Sequence, residues 1–361
     1  MLPKIKLRID PWLLLCTALL CGVGLLILHS ATGQDPDALL RQGARVLVGL
    51  GVMFAVAQIP PVQIERFAPW LYAAGVVLLL LVLAIGDIGR GARRWLDIGV
   101  MRFQPSEMMK LAVPLCVAAF LASRHNPPRL PDVLISLAMV LIPVGLVAKQ
   151  PDLGTSLLIA ASGAFVVYFA EVAWKYIAVA AGTAIAGLPL LWFVMHDYQR
   201  QRVLTMLDPE RDPLGTGYHI IQSKIAVGSG GLYGKGWLNG TQSRLEFIPE
   251  RTTDFIFAVL CEEFGFAGVL ALFALYAVII ARGFYIAANA QDIFGRLVAG
   301  SLTLTFFIYL FVNTSMVIGQ LPVVGVPLPL VSYGGTSMVT LFAGFGILVS
   351  IHTHRRMLSG A

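Results

Sequence analysis

Apolar residues in this chain run in long, nearly unbroken stretches instead of alternating with polar ones. A stretch of about 20 apolar residues, coiled at 1.5 Å per residue, matches the ~30 Å hydrocarbon core of a bilayer. The pattern predicts membrane-spanning helices at roughly 12–30, 41–59, 68–86, 107–123, 132–148, 154–171, 174–195, 255–282, 295–315 and 335–352. One long polar interruption separates the seventh from the eighth, from His196 to about Asp254. It reads as a loop: charged, rich in glycine, and closing on Pro249-Glu250-Arg251-Thr252-Thr253-Asp254 immediately before an apolar run.

Composition excludes a soluble domain. The chain has 361 residues, 57% of them hydrophobic and only 13% charged, where soluble domains carry roughly a quarter. The expected fold is an all-α polytopic membrane protein, with about ten helices in one bundle spanning residues 1–361 as a single domain. The net charge of +6 points to anionic lipid headgroups or a phosphorylated lipid, not to nucleic acid. Cys16, Cys21, Cys116 and Cys261 all fall within or beside apolar runs. None shows metal-ligand or disulfide spacing, and they read as small buried hydrophobes. No cleavable signal peptide is expected.

Charge also sets an orientation. Lys4, Lys6 and Arg8 at one end and Arg355 and Arg356 at the other predict two cytoplasmic termini, which ten spans satisfy. The long interruption is then extracytoplasmic, between spans seven and eight. So is the segment 87–110 holding Arg90, Arg93, Arg94, Arg102 and Lys110, which breaks the rule that basic residues stay inside, so that either the topology is inverted or these cations do a job there.

Ionisable groups near membrane depth are costly and mark functional candidates. Arg102, Glu107 and Lys110 form one group, with Pro105 opening a helix. Glu107 and Lys110, at i and i+3, either form an internal ion pair or, with Arg102, hold a phosphate. Asp152 either caps the helix starting near Gly154 or binds substrate. Asp254 either caps the following helix or handles a proton, with Arg251 beside it as a candidate binding cation. Glu250, Arg251, Glu262 and Glu263 make the acidic and basic density there exceed what capping requires. Leu328 to Ser337, with its glycines and hydroxyls, either lines a polar cavity or serves close helix packing. The preceding prolines, Pro322, Pro327 and Pro329, exclude one straight helix and predict a re-entrant or surface-lying turn. Gly228 to Gly240 is glycine-rich, but Gly234-Lys235 is followed by Gly236 instead of Ser or Thr, so it is not a nucleotide loop. It reads as cover or partner surface.

Four motifs in this order resemble the SEDS family, the RodA, FtsW and SpoVE proteins of bacterial cell-wall synthesis. They are Arg93-Arg94-Trp95-Leu96-Asp97 leading into RFQPSE and Lys110, QPDLGTS at 150–156, ERTTDFIF at 250–257 and PLVSYGGTS at 329–337. The wording is most similar to the RodA branch. The resemblance implies a peptidoglycan glycosyltransferase of the bacterial cytoplasmic membrane that polymerises lipid II during cell elongation. It implies Asp254 as the catalytic residue and places Arg102 and Lys110, with Glu107 between them, at the family's basic positions. A class B penicillin-binding protein and the elongation machinery are the implied partners. No metal cage is apparent, although a divalent cation such as Mg2+ or Mn2+ could share the pyrophosphate's charge. The competing function is a lipid II flippase or transporter.

Overall fold

The structure is a computed structural model. It describes residues 8–354 apart from 90, 91, 98–101, 126, 196, 213, 214 and 246, and it does not describe the side chains of Arg93, Arg94 and Arg102. Seven helices precede the long interruption: α1 (Pro11–Ala31), α2 (Pro36–Ala57), α3 (Pro61–Ile85), α4 (Pro105–Ala122), α5 (Leu130–Lys149), α6 (Leu153–Phe169) and α7 (Trp174–Val194). Within it lie α8 (Asp197–Leu207), α9 (Thr216–Ser229) and the short α10 (Thr241–Arg244). After it come α11 (Ile256–Ala288), α12 (Ile293–Val317) and α13 (Thr336–Thr353). Among the described residues, eight helices are long and apolar enough to cross a membrane: α1 to α5 and α11 to α13. Helix α6 is apolar and shorter, and α7 occupies the position expected for the seventh span.

Local chemistry explains the helix starts. Asp10, Asp35 and Asp292 cap α1, α2 and α12 through side-chain bonds to the first-turn amides, satisfying donors that a helix cannot satisfy itself. Proline opens α1 to α5, where its missing N–H costs nothing. The bundle centres on α4 and α12, which are mostly buried, whereas α2, α3 and α5 turn most of their surface outward. Buried residues from α1, α4, α11, α12 and α13 join in one hydrophobic cluster.

Two elements depart from the expected picture. A small antiparallel sheet precedes α4, with β1 (Asp87–Gly89), β2 (Ala92–Asp97) and β3 (Arg102–Phe103) in that order. The interruption between α7 and α11 is also not the open loop its charges suggest. Three helices and a 3₁₀ turn (Pro209–Arg211) occupy much of it. Helix α9 carries an apolar face, Ile220 and Ala226, that is fully buried against the bundle.

Helix α11 is broken at Gly265, which adopts φ +61°. The amides of Phe266 and Ala267, which an unbroken helix would pair with the carbonyls of residues 262 and 263, donate instead to the carbonyls of Gly231 and Leu232. The freed carbonyls of Glu262 and Glu263 accept from the amides of Lys235 and Gly236. The glycine-rich segment therefore completes the helix's own hydrogen bonds. A methyl group on Gly265 would lie 2.3 Å from the Gly234 nitrogen. That contact and the positive φ both require glycine.

Candidate active site

Helix α4 starts at Pro105 and immediately buries Glu107 and Lys110. Lys110 Nζ lies 2.6 Å from Glu107 Oε1, and both side chains are less than a tenth exposed. The ammonium also sits 5.0 Å from the centre of the Tyr309 ring on α12. The expected ion pair exists, but it is sunk inside the bundle. A lone ion there would cost several kcal/mol, so the pairing is what permits its burial.

Asp152 caps α6, as one of the two sequence readings holds, accepting from the Thr155 amide at 3.1 Å. Its other oxygen accepts from Gln104 Nε2 at 3.2 Å, which joins the α6 cap to the residue preceding α4. Lys110 links Glu107 on α4 to Tyr309 on α12. Gly154 lets α6 approach the non-helical segment before α13, where a methyl would meet the Val324 carbonyl at 2.6 Å.

Asp254 lies in a turn, and the cap of α11 is Phe255, with no side-chain capping bond. Asp254 thus stands one residue before that cap. Its main chain is held on several sides. Asn313 Nδ2 donates to the Asp254 carbonyl at 2.9 Å and to the Val326 carbonyl at 2.7 Å. The Ser332 hydroxyl donates to the Thr253 carbonyl at 2.6 Å, and the Tyr333 amide to the Thr252 carbonyl at 2.8 Å. The Asp254 carboxylate points toward Gly325, where a methyl would lie 3.5 Å from Oδ2. The proline-rich stretch forms the non-helical turn its prolines predict, and its PLVSYGG part serves mainly to brace the Asp254 turn.

Helix α12 connects the two halves of the site. Tyr309, beside Lys110, and Asn313, bonded to Asp254, are four residues apart on one helix face, about 6 Å along the axis. Neither was singled out by the sequence reading, which sought ionisable groups. Two polar side chains at helical spacing inside an apolar run were the available signal. Arg45 on α2, whose guanidinium lies 4.4 Å from the centre of the Tyr333 ring, was missed because it lies within a predicted span and outside the four motifs.

Other expected residues are placed differently. Arg251 directs its Nε to the Ala31 carbonyl at the end of α1, 2.6 Å away. Glu262 is fully buried and accepts from Lys235 Nζ at 2.7 Å, Thr241 Oγ1 at 2.9 Å and the Gln242 amide at 3.0 Å. Glu263 accepts from the Ser30 hydroxyl. These two glutamates anchor the glycine-rich segment and are not part of the Asp254 cluster. The expectation for Arg102 lies outside the described side chains, with only its backbone fixed, opposite Asp97. Beyond the membrane-crossing helices, His219 of α9 stacks on Phe255 at 5.8 Å, and its burial lowers its pKa below the ordinary 6.5. Among the described residues, no three His, Cys, Asp or Glu side chains come together to hold a metal ion.

The fold and site define a polytopic membrane protein with a carboxylate turn and a buried lysine gathered at one end of its bundle. The Cell cycle protein family model, that of FtsW, RodA and SpoVE, matches residues 11–357, and the chain belongs to this family. It is 57% identical over 355 residues to the peptidoglycan glycosyltransferase MrdB of Escherichia coli K12, covering 98% of this chain and 96% of that one. It is 36% identical to a probable peptidoglycan glycosyltransferase FtsW of Idiomarina loihiensis, covering 91% and 81%. The crystal structure of Thermus thermophilus rod shape determining protein RodA superposes with a TM-score of 0.74 at 30% identity, covering 97% and 99%. A chain of a peptidoglycan synthase complex that coordinates polymerization and crosslinking gives a TM-score of 0.83 at 34% identity, covering 95% and 97%.

Proposed function

We propose that the chain is a peptidoglycan glycosyltransferase that polymerises lipid II during cell elongation, with Asp254 as general base. Asp254 takes the proton of the acceptor GlcNAc 4-hydroxyl as that oxygen attacks the donor MurNAc anomeric carbon. The bond from that carbon to the pyrophosphate breaks, and the leaving oxygen keeps the electron pair. A single direct displacement inverts the anomeric centre. Lys110, beside Glu107 and Tyr309, stabilises the charge that develops on the departing pyrophosphate, an effect that is largest where water is excluded. Arg102, the family's other basic position, is assigned the same role. Asp152 holds this wall together through Gln104, and Arg251 fixes the turn to α1. A divalent cation that enters with the pyrophosphate would be bound chiefly by phosphate oxygens.

The observation that carries this reading is the Asp254 turn. It is braced by Asn313, Ser332 and Tyr333. Ten crossings of the inner membrane, both termini cytoplasmic, would put that turn at the extracytoplasmic surface where lipid II is delivered. A class B penicillin-binding protein is the partner this placement suits, since the new strands need cross-linking. Purified protein given lipid II in detergent is expected to make polymer, and Asp254→Ala to make none. Full polymerisation by Asp254→Ala removes the assignment. Lipid transfer between leaflets that survives the substitution, without polymer, favours a transporter.

A further inference from the structure

The Asp254 turn stands at one end of the bundle, and a buried charged cluster stands at the other. From Ile256 to Arg282, helix α11 covers about 39 Å at 1.5 Å per residue. Asp10, the cap of α1, has a fully buried side chain. Its Oδ1 accepts from the Trp12 and Leu13 amides, each at 3.2 Å. Its Oδ2 accepts from Arg282 Nε at 2.9 Å and lies 2.8 Å from Nη2. The same Nη2 lies 3.0 Å from His352 Nε2 on α13. Tyr285 closes the cluster, its ring centre 4.8 Å from the guanidinium.

An arginine N–H only donates, so His352 Nε2 must present its lone pair, with the ring neutral and protonated on Nδ1. A proton on Nε2 removes that acceptor and sets a second cation against the guanidinium. Asp10, 3.9 Å from Nε2, is already shared by Arg282 and the α1 amides. Around this end of α13 also stand Arg8, which donates to the Thr353 carbonyl, His354, and Asp292, which lies across Gly295 from Ile351. The clasped helices reach the catalytic turn at their other ends. Helix α11 follows Asp254 directly, α1 ends on the Ala31 carbonyl that takes Arg251, and α13 follows Tyr333, whose amide holds the Thr252 carbonyl. Midway, the Tyr276 hydroxyl of α11 donates to the Pro329 carbonyl at 2.6 Å. Gly24 of α1 packs so closely on Val331 that a methyl would lie 2.8 Å from its Cα.

We propose that Asp10, Arg282 and His352 form a proton-operated clasp; this rests on the polymerase reading above. Neutral His352 holds α1, α11 and α13 in the register that sets the Asp254 turn for catalysis. Protonated His352 releases α13 and slows polymerisation. With the ring neutral, the Asp10 and Arg282 charges balance. Protonation leaves one uncompensated charge where the carboxylate is fully buried and the other two side chains are about a fifth exposed, which favours opening. His352 is thus a positioning residue, acting through α13 and Tyr333. In the orientation proposed above this end faces the cytoplasm, so an extracytoplasmic reaction answers to protons across the membrane.

The test is a pH profile of turnover at saturating lipid II, on the full-length protein in detergent. An ordinary imidazole, titrating near 6.5, is about nine-tenths protonated at pH 5.5, so native turnover is expected to fall about tenfold from pH 8. His352→Gln offers an amide oxygen to the same donor and takes no proton, so its turnover is expected to change by about twofold or less. His352→Leu offers no acceptor and is expected to be slow at both pH values, with half-saturating lipid II unchanged. Matching profiles for the native protein and His352→Gln overturn the proposal. Native turnover at pH 8 in His352→Leu overturns it as well. Asp254 and His219 are present in all three proteins, so the difference between profiles belongs to position 352. Hydrogen exchange of the 250–255 amides supplies a readout independent of activity. At pH 5.5 they are expected to exchange several-fold faster in the native protein than in His352→Gln, and equal rates overturn the clasp. If Asp254→Ala still polymerises, the catalytic reading fails, and the exchange comparison still decides the clasp.

Discussion

A single buried amide, that of Asn313, holds the main-chain carbonyls of both Asp254 and Val326, at 2.9 Å and 2.7 Å. Two non-helical segments that meet at the site are thus fixed by one side chain of α12. Leaving such carbonyls unsatisfied costs about 1–3 kcal/mol. Asn313→Ala is expected to lower polymerisation turnover about tenfold or more, with lipid II binding nearly unchanged. Steady-state assays over a range of lipid II concentrations separate the two effects. A purely raised half-saturation would contradict the role given to Asn313.

Asp254 stands one residue outside the cap of α11, and its turn is held through main-chain carbonyls. Asp254→Asn is expected to lose polymerase activity and keep its thermal midpoint in detergent. A true cap would lose about 1 kcal/mol, visible as a lowered midpoint. Such a drop would return Asp254 to a structural role.

The Glu107–Lys110 pair should respond unevenly to single and double changes. Removing one partner leaves a buried charge and costs about 3–5 kcal/mol, whereas replacing both by apolar residues is near neutral. Glu107→Ala should therefore destabilise the protein more than Glu107→Leu combined with Lys110→Met. The double variant should fold well and polymerise nothing. Thermal unfolding and polymer yield, measured on the same preparations, check both halves.

His219 gives a pH dependence with a definite sign. Burial lowers its folded-state pKa below 6.5, so the folded protein disfavours the charged ring. Its contribution is fully favourable above the unfolded pKa. Stability is expected to fall as pH drops below about 6.5, the loss being complete at the folded-state value. His219→Phe should flatten thermal midpoints between pH 7.5 and 5. An unchanged slope would assign it to other groups.

Helix positions were legible in the sequence because bilayer thickness imposes one length on every apolar run. Caps and prolines marked most starts. The stretch between α7 and α11 was misread because charge hides the helical period of a helix that buries only a narrow face, as α9 does with Ile220 and Ala226. Within the site, spacing along the chain placed Asp254, Glu107, Lys110 and Asp152 near one end of the bundle. It could not distinguish Glu262 and Glu263 from them, since axial depth carries no information about which neighbour a helix face meets. Asn313 and Tyr309 were overlooked because neutral groups draw no attention until their partners are known. The backbone carbonyls that Asn313 holds leave no trace in side-chain identity.

The break at Gly265 makes residues 231 to 236 part of the wall of α11, although they precede it in sequence and belong to what looks like a surface excursion. Length changes in surface excursions are ordinarily absorbed at little cost. This one has no slack. An inserted residue would shift the donors and acceptors that complete the span out of step, so an epitope tag placed there should harm folding as much as one placed inside α11. Tags between α8 and α9, at the 3₁₀ turn, should be tolerated far better.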